Sequence, residues 1–333
     1  MEHYVIGVDV GGTKIAYGLF DESKGLVAER RISSDRDLEP KVFFDVLARE
    51  IRGFLDAQSI RTEQLWGVGL AMPSFILFEQ GYIVKTSNLV KLRDFPARAC
   101  LSEKLDGVPV MLDNDAHVAA LAEHAMGAGR GFTHMLYCPV STGISSAMII
   151  NGKLFRGSYG WSGETGHMIA TPGEGILCGC GNRGCYMSWC SGSMIIKHIQ
   201  LWIGEGEKTL MTELAGGADK INAHHLEAAF DEGDPLAVRA MNQMAKYLGL
   251  WFFNLYVTFN INCFVLGGGL VKMGEKLFGP VRRVFDEYNR NGAPEGFDMS
   301  VYFKNAELGD RVGIVGAAEL IFAVPCREFN RRG

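Results

Sequence analysis

One histidine and three cysteines crowd into a short segment near the middle of the chain. His167 is followed by ten residues and then by Cys178, Cys180 and Cys185, so that all four lie within 19 residues. Three thiolates and one imidazole can close a tetrahedral zinc site. Because four protein ligands fill the coordination sphere, the pattern predicts a structural and not a catalytic Zn²⁺.

Glycines separate these residues, at Gly179, Gly181 and Gly184. Ligands so close in sequence need sharp turns, and glycine reaches positive φ at little cost. Two other interpretations stay open. The cysteines are buried small hydrophobes beside a hydrogen-bonded histidine, or they belong to a disulfide framework. The second is disfavoured by the length of the chain, its widely spread other cysteines and the lack of a signal-peptide pattern.

The composition is that of an ordinary globular protein. The chain has 333 residues, of which 47% are hydrophobic and 21% charged, enough for two domains and a large core. Its formal net charge of −5 gives no electrostatic reason to bind nucleic acid or an anionic membrane. No apolar run approaches the roughly 20 residues of a membrane span. We therefore expect a cytoplasmic protein without nucleic-acid or membrane partners.

Hydrophobic periodicity predicts alternating strands and helices. Strands are predicted at 4–10, 15–20, 25–31, 65–71, 108–112, 134–139, 144–150, 153–156, 263–266 and 300–304. Helices are predicted at 40–57, 116–126, 193–204, 235–258, 272–288 and 313–323. Two strand-turn-strand units each lead into a Gly-rich loop. This pattern predicts a duplicated α/β architecture with a cleft between its halves.

The first Gly-rich loop follows the first predicted strand. Gly11 and Gly12 let backbone N–H groups approach phosphate oxygens, and Thr13 adds a hydroxyl ahead of Lys14. Asp9, at the strand end, is suited to orient Mg²⁺ through water. The spacing is neither that of a Walker loop nor that of a dinucleotide fingerprint, and an ordinary hairpin turn is the alternative.

Two further loops occupy corresponding places in the second half. Thr142 and Gly143 follow a predicted strand. They are suited to contact the phosphates of a nucleotide on the side opposite to the first Gly-rich loop. Gly267, Gly268 and Gly269 follow a buried strand and open toward a helix, a place suited to adenosine and its α-phosphate. Each loop taken singly also reads as an ordinary turn, but three at corresponding places favour a nucleotide site.

Asn114 and Asp115 stand where a predicted strand gives way to a helix. Phosphoryl transfer needs a carboxylate that accepts the proton of the attacking hydroxyl, and Asp115 is a candidate for it. Helix N-capping explains the same residues equally well on propensity alone.

Read with its neighbours, the cysteine cluster resembles the signature of the ROK family (repressors, open reading frames and sugar kinases). That signature is Gly-His, about ten residues, then Cys-x-Cys-Gly-x-x-Gly-Cys-x-Glu. This chain has Gly166-His167 and then 178–185 in the same pattern, with Met187 at the last position. The likeness extends from Asp9 to the 313–318 stretch.

The resemblance implies an actin-like (ribonuclease H-like) duplicated sugar-kinase ATPase fold of two domains. Separately, the aromatic-rich stretch 247–256 suits a core helix or the interface of a dimer, and we expect a homodimer. The expected small α/β domain comprises 1–115 plus 308–333, and the large α/β domain, 116–307, carries the zinc loop. By the same likeness Asp115 is the catalytic base, and Zn²⁺ is bound by His167 through one nitrogen while the other faces the sugar. The implied sugar contacts are Asn88, Asn114, Asp115, Glu164 and His167.

Several positions depart from the family pattern. Met187 replaces a glutamate that accepts hydrogen bonds near the anomeric end of the sugar, and a thioether is a poor acceptor. Glucose bound in the usual way is therefore not expected. A sugar with a different C1 or C2 substituent fits better, as does a sugar bound with that end against Met187 and Trp189. His117 stands where asparagine is usual, and Ser145 and Ser146 replace common glycines.

The resemblance implies transfer of the γ-phosphoryl group of ATP, with Mg²⁺, to a hydroxyl of a hexose or hexosamine, at O6. The alternative is a non-catalytic sugar-binding sensor of the same fold. Repressors of the family carry a DNA-binding segment before the first strand, which is predicted here to begin near residue 3, so we do not expect DNA binding. Polyphosphate as donor stays open.

Overall fold

The computed structural model describes residues 2–290 and 294–323. The chain forms two compact units. The first comprises Met1–Thr133, Ala147–Ser162 and Ala306–Gly333, and the second comprises His134–Ser146 and Gly163–Asn305. The domain boundaries expected from the sequence, 1–115 plus 308–333 and 116–307, stay a prediction. The compact units group 116–133 and 147–162 with the N-terminal part, and the expected range 324–333 lies outside the described residues.

The strands are β1 (Tyr4–Val10), β2 (Lys14–Asp21), β3 (Leu26–Ser33), β4 (Leu65–Met72), β5 (Ser74–Leu77), β6 (Tyr82–Thr86), β7 (Val110–Asn114), β8 (Met135–Pro139), β9 (Ala147–Ile150), β10 (Lys153–Phe155), β11 (Cys263–Gly267) and β12 (Tyr302–Asn305). The helices are α1 (Pro40–Asp56), α2 (Ala97–Lys104), α3 (Asp115–Met126), α4 (Tyr186–Cys190), α5 (Gly192–Gly204), α6 (Leu210–Ala215), α7 (Ala223–Asp231), α8 (Pro235–Phe259), α9 (Glu275–Tyr288) and α10 (Val312–Phe322). None of the described helices is both long and apolar enough to cross a bilayer.

A five-stranded sheet in the order β3-β2-β1-β4-β7 organises the first unit. β2 and β3 are antiparallel to their neighbours, whereas β1, β4 and β7 run parallel. Asp9 pairs with Ala71, and Ala71 pairs with Asp113. Because the carboxyl ends of parallel strands meet at one edge of a sheet, the loops after Val10, Met72 and Asn114 leave the same edge.

Side chains of β1 alternate between two apolar layers. Ile6 and Val8 face the layer that contains α1, and Val5 faces the layer that contains α10. α10 lies directly on the sheet, because a Cβ atom on Gly7 or Gly69 would collide with helix backbone. α3 packs against α10 in turn. The helix that begins at Asp115 is thus fixed to the sheet that carries Asp9.

Two antiparallel hairpins complete the first unit. β9 and β10 are joined by Asn151 and Gly152, both with positive φ, as the Asn-Gly pair predicts. The β5–β6 hairpin was not predicted. Met72-Pro73-Ser74 reads as a loop, yet Ser74 already begins β5, because a four-residue strand gives too short a pattern to recognise.

Parallel strands in the order β8-β11-β12 form the sheet core of the second unit. Its apolar core is rich in aromatic rings: Phe252 of α8, Phe264 of β11, Phe285 of α9 and Phe303 of β12 contact one another. α6 and α7 were not predicted. The helix expected to start at 272 begins at Glu275, after a 3₁₀ turn over Gly269–Met273.

Candidate active site and metal centre

The predicted metal ligands meet in the second unit. The ligand atoms of His167, Cys178, Cys180 and Cys185 all lie within 4.8 Å of one another. Cys178 Sγ is 3.4 Å from His167 Nδ1, and Cys180 Sγ is 3.6 Å from Cys185 Sγ. Zn–S bonds of about 2.3 Å and tetrahedral geometry require separations of this size. The sulfur–sulfur distance is far longer than the roughly 2.05 Å of a disulfide. The donor set fits a four-coordinate zinc ion.

Local turns account for this convergence. The Cys178 N–H donates to the Asn182 carbonyl at 2.8 Å, and the Gly181 N–H donates to the Cys178 carbonyl at 2.9 Å. Gly181 and Gly184 have φ values of 91° and 85°, which other residues rarely adopt. A side chain on Gly184 would also collide with the Thr171 carbonyl. The loop geometry therefore requires glycine at Gly181 and Gly184, whereas at Gly179 a side chain would meet open space.

The histidine of this cluster faces in two directions. Nδ1 of His167 points toward the cysteine sulfurs, while Nε2 lies 3.9 Å from the exposed Glu164 carboxylate. The two candidate sugar contacts of this unit are thus neighbours. Two hydrogen bonds fix the turn that carries Glu164 and His167. The Ser146 N–H donates to the Gly163 carbonyl at 2.7 Å, and Thr165 Oγ1 donates to Ser146 Oγ at 3.0 Å. Ser146 joins the two segments.

The loop that holds Thr142 and Gly143 is fixed by the start of α5. The Gly192 N–H donates to the Ser141 carbonyl at 2.8 Å, and Ser193 Oγ donates to the Thr142 carbonyl at 2.8 Å. Met187 lies beside the same loop: a Cβ atom on Gly143 would be 3.5 Å from its Cε atom. The residue that departs from the family signature therefore packs against the candidate phosphate loop.

A pocket of about 540 Å³ opens beside this loop, entirely within the second unit. Of the loop residues predicted to contact nucleotide, Thr142 and Gly269 line this pocket, whereas Gly143, Gly267 and Gly268 do not. A side chain on Gly267 would collide with the Tyr137 ring, and Gly268 lies close to the Val140 carbonyl, so both glycines serve close backbone packing. Sequence reasoning missed most of the lining, including Ser193, Ile196, Gln200, Asn222, His224 and Lys272.

The first unit carries the other candidate loop. The Gly11 N–H donates to the Lys14 carbonyl at 2.9 Å, which closes the turn, and Thr13 is exposed. Gly12 is close to Asn88: a Cβ atom on the glycine would be 2.9 Å from the Asn88 Cβ. The candidate phosphate loop and a candidate sugar contact are therefore adjacent.

Asp9, the penultimate residue of β1, lies next to the N-terminus of α10. A side chain on Gly313 would collide with its carboxylate, so glycine is required where the helix approaches. Burial raises the pKa of Asp9, and the positive charges of Lys14 and Arg31 partly offset this effect.

Three polar residues at the β7–α3 junction have different environments. Asp113 is completely buried. Asn114 is the helix N-cap: its Oδ1 accepts the Ala116 N–H at 2.9 Å, and its Nδ2 donates to the Ser74 carbonyl at 3.2 Å. Asp115 is exposed, with Oδ1 2.9 Å from the same Ala116 N–H. Capping is thus the role of Asn114, and the Asp115 carboxylate reaches solvent.

Behind this junction lies a buried charge network that sequence reasoning did not find. Asp113 accepts from His117 Nδ1 at 2.9 Å and from Arg156 Nε at 2.7 Å. His117 Nε2 lies 2.9 Å from the Ser162 carbonyl oxygen. Burial alone would raise the pKa of Asp113, but hydrogen bonds and charges from His117 and Arg156 hold it below its ordinary value. No sequence motif links Arg156 to Asp113.

The sequence matches the ROK family over residues 5–323. It is 31% identical to a glucokinase of Halalkalibacterium halodurans, over 96% of this chain and 95% of that protein. It is 31% identical to the xylose repressor of Bacillus subtilis, over 81% of this chain and 65% of the repressor.

The crystal structure of a ROK family glucokinase from Streptomyces griseus, in complex with glucose and AMPPNP, superposes with a TM-score of 0.75 at 28% identity. The match covers 96% of this chain and all of that one. The predicted α/β, actin-like sugar-kinase fold is confirmed. With the match spanning nearly the whole sequence, this chain belongs to the ROK family.

Proposed function

We propose that this protein is an ATP-dependent hexose kinase that transfers the γ-phosphoryl group to O6 of its sugar, with Asp115 as the base. The exposed Asp115 carboxylate, at the start of a helix whose cap is supplied by Asn114, is the observation that carries the proposal. Asp113 is completely buried, whereas the Asp115 carboxylate is exposed and can be reached by a sugar hydroxyl. The glucokinases similar to this chain support the same reaction class.

The nucleotide would occupy the 540 Å³ pocket of the second unit. Its walls combine apolar side chains such as Ile196 with amide groups such as Gln200, which suits a purine ring and a ribose. Thr142, Gly143 and Gly269 would contact the phosphates, with Gly267 and Gly268 shaping the backbone behind them. Gly11, Gly12, Thr13 and Lys14 of the first unit would contact phosphates as well. AMPPNP in the Streptomyces griseus glucokinase complex supports ATP as the donor.

Asn88, Asn114, Glu164 and His167 would hold the sugar by hydrogen bonds to its hydroxyls. The hydroxyl oxygen attacks the γ-phosphorus while its proton passes to the Asp115 carboxylate. The bond from the γ-phosphorus to its bridging oxygen breaks, and ADP leaves. Positioning and charge stabilisation supply most of the rate in such transfers, so the rigid junction around Asp115 matters as much as the base itself.

Two metals enter the proposal. His167, Cys178, Cys180 and Cys185 would hold Zn²⁺, which would stiffen the turn that carries Glu164 and leave no open coordination position. Asp9 would orient Mg²⁺ through water, because Mg²⁺ prefers one or two carboxylates and keeps several waters. Mg²⁺ would neutralise charge on the transferring phosphates.

The side chain of Met187 disfavours glucose in its usual binding mode and favours a different sugar. Its thioether accepts hydrogen bonds poorly, and a site that lost one acceptor for a hydroxyl loses about 1–3 kcal/mol. A sugar whose C1 or C2 carries a different substituent would fit this side chain better.

The same proposal includes a cytoplasmic homodimer. The sulfur atoms of Cys180 and Cys185 lie 3.6 Å apart, too far for a disulfide, which suits a reducing compartment. The dimer is tested by the molar mass in solution from light scattering: twice the chain mass supports it, and the chain mass contradicts it.

A non-catalytic sugar sensor is the second candidate, favoured by the likeness to the xylose repressor of Bacillus subtilis. One experiment separates the two. The protein is incubated with MgATP and a hexose, and the product is identified by ³¹P and ¹³C NMR. A hexose 6-phosphate supports the kinase, a phosphate at another carbon contradicts the O6 assignment, and sugar binding without any product supports the sensor.

A further inference from the structure

Three aromatic side chains form a small cluster on the surface of the first unit, which we call the aromatic platform: Phe75, Tyr159 and Trp161. The Trp161 ring stands edge-on to Phe75, with centroids 5.5 Å apart, and Tyr159 lies 5.9 Å from Trp161. Tyr159 is 69% exposed and Trp161 is 39% exposed. Neither ring is needed to fill the core, and clustered exposed aromatic surface commonly marks a binding site.

The platform is held in place. Trp161 Nε1 donates to the Ile76 carbonyl at 3.0 Å. Gly160, with φ of 85°, brings the loop against the same strand, and a Cβ atom there would be 2.7 Å from the Ile76 carbonyl oxygen. At the start of the loop, Arg156 stacks on the Phe78 ring at 3.6 Å. A surface whose rings are already fixed binds a ligand with little loss of conformational entropy.

Both segments of the platform are bonded to the β7–α3 junction. The Ser74 carbonyl, next to Phe75, accepts from Asn114 Nδ2 at 3.2 Å. The Ser162 carbonyl, next to Trp161, lies 2.9 Å from His117 Nε2. His117 follows Asp115 by two residues. The platform therefore borders the residues that would position the acceptor hydroxyl.

We propose that the aromatic platform is a subsite for the second sugar ring of a disaccharide or glycoside acceptor, an inference that rests on the proposed kinase function. A pyranose ring has an apolar C–H face that packs on aromatic rings, while its hydroxyls stay in water. The first ring would be held through its hydroxyls by Asn88 and Asn114, so that aromatic surface beyond them serves an additional ring.

The charges around the platform favour a neutral ligand. Arg156 is paired with the buried Asp113, at 2.7 Å. The Lys85 ammonium lies 4.7 Å above the Phe75 ring, a cation–π contact that occupies one face of that ring. The faces of Tyr159 and Trp161 stay available for stacking, and an uncharged polyhydroxylated ring meets no unpaired charge from these partners.

The experiment compares kcat/KM for glucose, cellobiose and maltose in the wild type and in Tyr159→Ala, Trp161→Ala and Trp161→Phe. Tyr288→Ala is the matched control, because it removes a half-exposed aromatic ring of the second unit. Zinc content and the thermal midpoint report folding. Tyr159 contributes little to packing, so its variant keeps the test valid even where Trp161→Ala does not fold.

The expected result is phosphorylation of at least one disaccharide, with kcat/KM reduced about tenfold in Tyr159→Ala and Trp161→Ala, mainly through KM. Activity on glucose should stay within about twofold, as should all activities of Tyr288→Ala. Trp161→Phe should retain part of the disaccharide activity. Turnover of hexoses without any turnover of disaccharides, or equal losses on both, overturns the subsite alone. Absence of transfer to every sugar overturns the proposed function together with it.

Discussion

Nδ1 of His117 lies 2.9 Å from Oδ1 of Asp113, and both side chains are almost completely buried. The other ring nitrogen of His117 lies 2.9 Å from the Ser162 carbonyl oxygen. A carboxylate and a carbonyl both accept hydrogen bonds, so both ring nitrogens must donate, and His117 is an imidazolium. The imidazolium thus connects Asp113, near the end of β7, with Ser162 in the loop that follows β10.

The stability that the His117–Asp113 pair contributes should depend on pH. Burial alone lowers the pKa of His117, but its hydrogen bonds to Asp113 and Ser162 raise it above 6.5. A raised pKa contributes stability that is complete below pH 6.5 and is lost as pH rises through the folded-state value. The lowered pKa of Asp113 contributes stability above pH 3.8 that is lost on acidification. The stabilising contributions of His117 and Asp113 are therefore greatest together at pH values between 3.8 and 6.5.

Denaturant unfolding of the wild type and of His117→Asn should therefore differ most near pH 6, by about 3 kcal/mol. The difference should shrink as the solution becomes alkaline. Nitrogen chemical shifts of the His117 ring give a direct check: an imidazolium at pH 7 is expected. A neutral ring at pH 7, or a stability difference that grows with pH, would contradict the assignment.

Asp115→Asn tests the catalytic base. The amide keeps the size of the side chain but cannot accept the hydroxyl proton, so kcat should fall by about 10²–10⁴-fold. Zinc content and thermal midpoint should match the wild type, because the helix cap belongs to Asn114. Asp56→Asn, an exposed aspartate near the end of α1, is the control and should keep full activity. Near-normal turnover in Asp115→Asn removes this residue from the role.

Cys180→Ala tests the metal centre. Loss of a direct ligand should weaken zinc binding by more than the roughly 10²-fold typical of supporting residues. Turnover should fall as the Glu164 turn loosens. Cys100→Ala removes a thiol of the first unit and should keep one zinc per chain by mass spectrometry under native conditions. If Cys180→Ala binds zinc as tightly as the wild type does, the four-ligand site is wrong.

Asp9→Asn should separate stability from activity. Burial raises the pKa of Asp9, so its ionisation destabilises the fold as pH rises above 3.8. The neutral variant should therefore unfold at a higher denaturant concentration than the wild type at pH 8, with the difference vanishing toward pH 4. Its kcat should be lower by about 10²-fold, because the proposed Mg²⁺ would lose the carboxylate that orients it. A variant that is both less stable and fully active would contradict the account.

Met187→Glu tests sugar selection. The new carboxylate would lie beside Gly143 and offer the acceptor that the thioether lacks. For glucose, kcat/KM should rise about tenfold, mainly through a lower KM. Met187→Gln, which adds a weaker neutral acceptor, should give a smaller gain. No improvement with either variant would show that Met187 does not set specificity.

Features that depend on short-range patterns could be predicted from the sequence. The four candidate metal ligands lie within 19 residues, and the structure brings their ligand atoms within 4.8 Å of one another, while zinc binding stays a prediction. Asn151 and Gly152 define their hairpin in the same way, because the turn requires positive φ at both positions.

Contacts between residues that are distant in sequence could not be predicted from the sequence. Gln200 and Asn222 line one pocket because α5 contacts the 3₁₀ turn Ala218–Lys220 that precedes Asn222, and neither residue belongs to a motif. Arg156 pairs with Asp113 across 43 positions of sequence. The hydrogen-bond partners of His117 decide its protonation, and these partners come from the fold. Propensity also could not separate capping by Asn114 from exposure of Asp115.

The most direct test of the central claim is sugar-dependent ADP release with MgATP. The panel contains glucose, mannose, fructose, allose, N-acetylglucosamine, N-acetylmannosamine and glucosamine, with Asp115→Asn measured alongside the wild type. A kinase should release ADP with at least one of these sugars and lose that release in the variant. Folded wild-type protein with zinc bound and no sugar-dependent release of ADP would contradict the account.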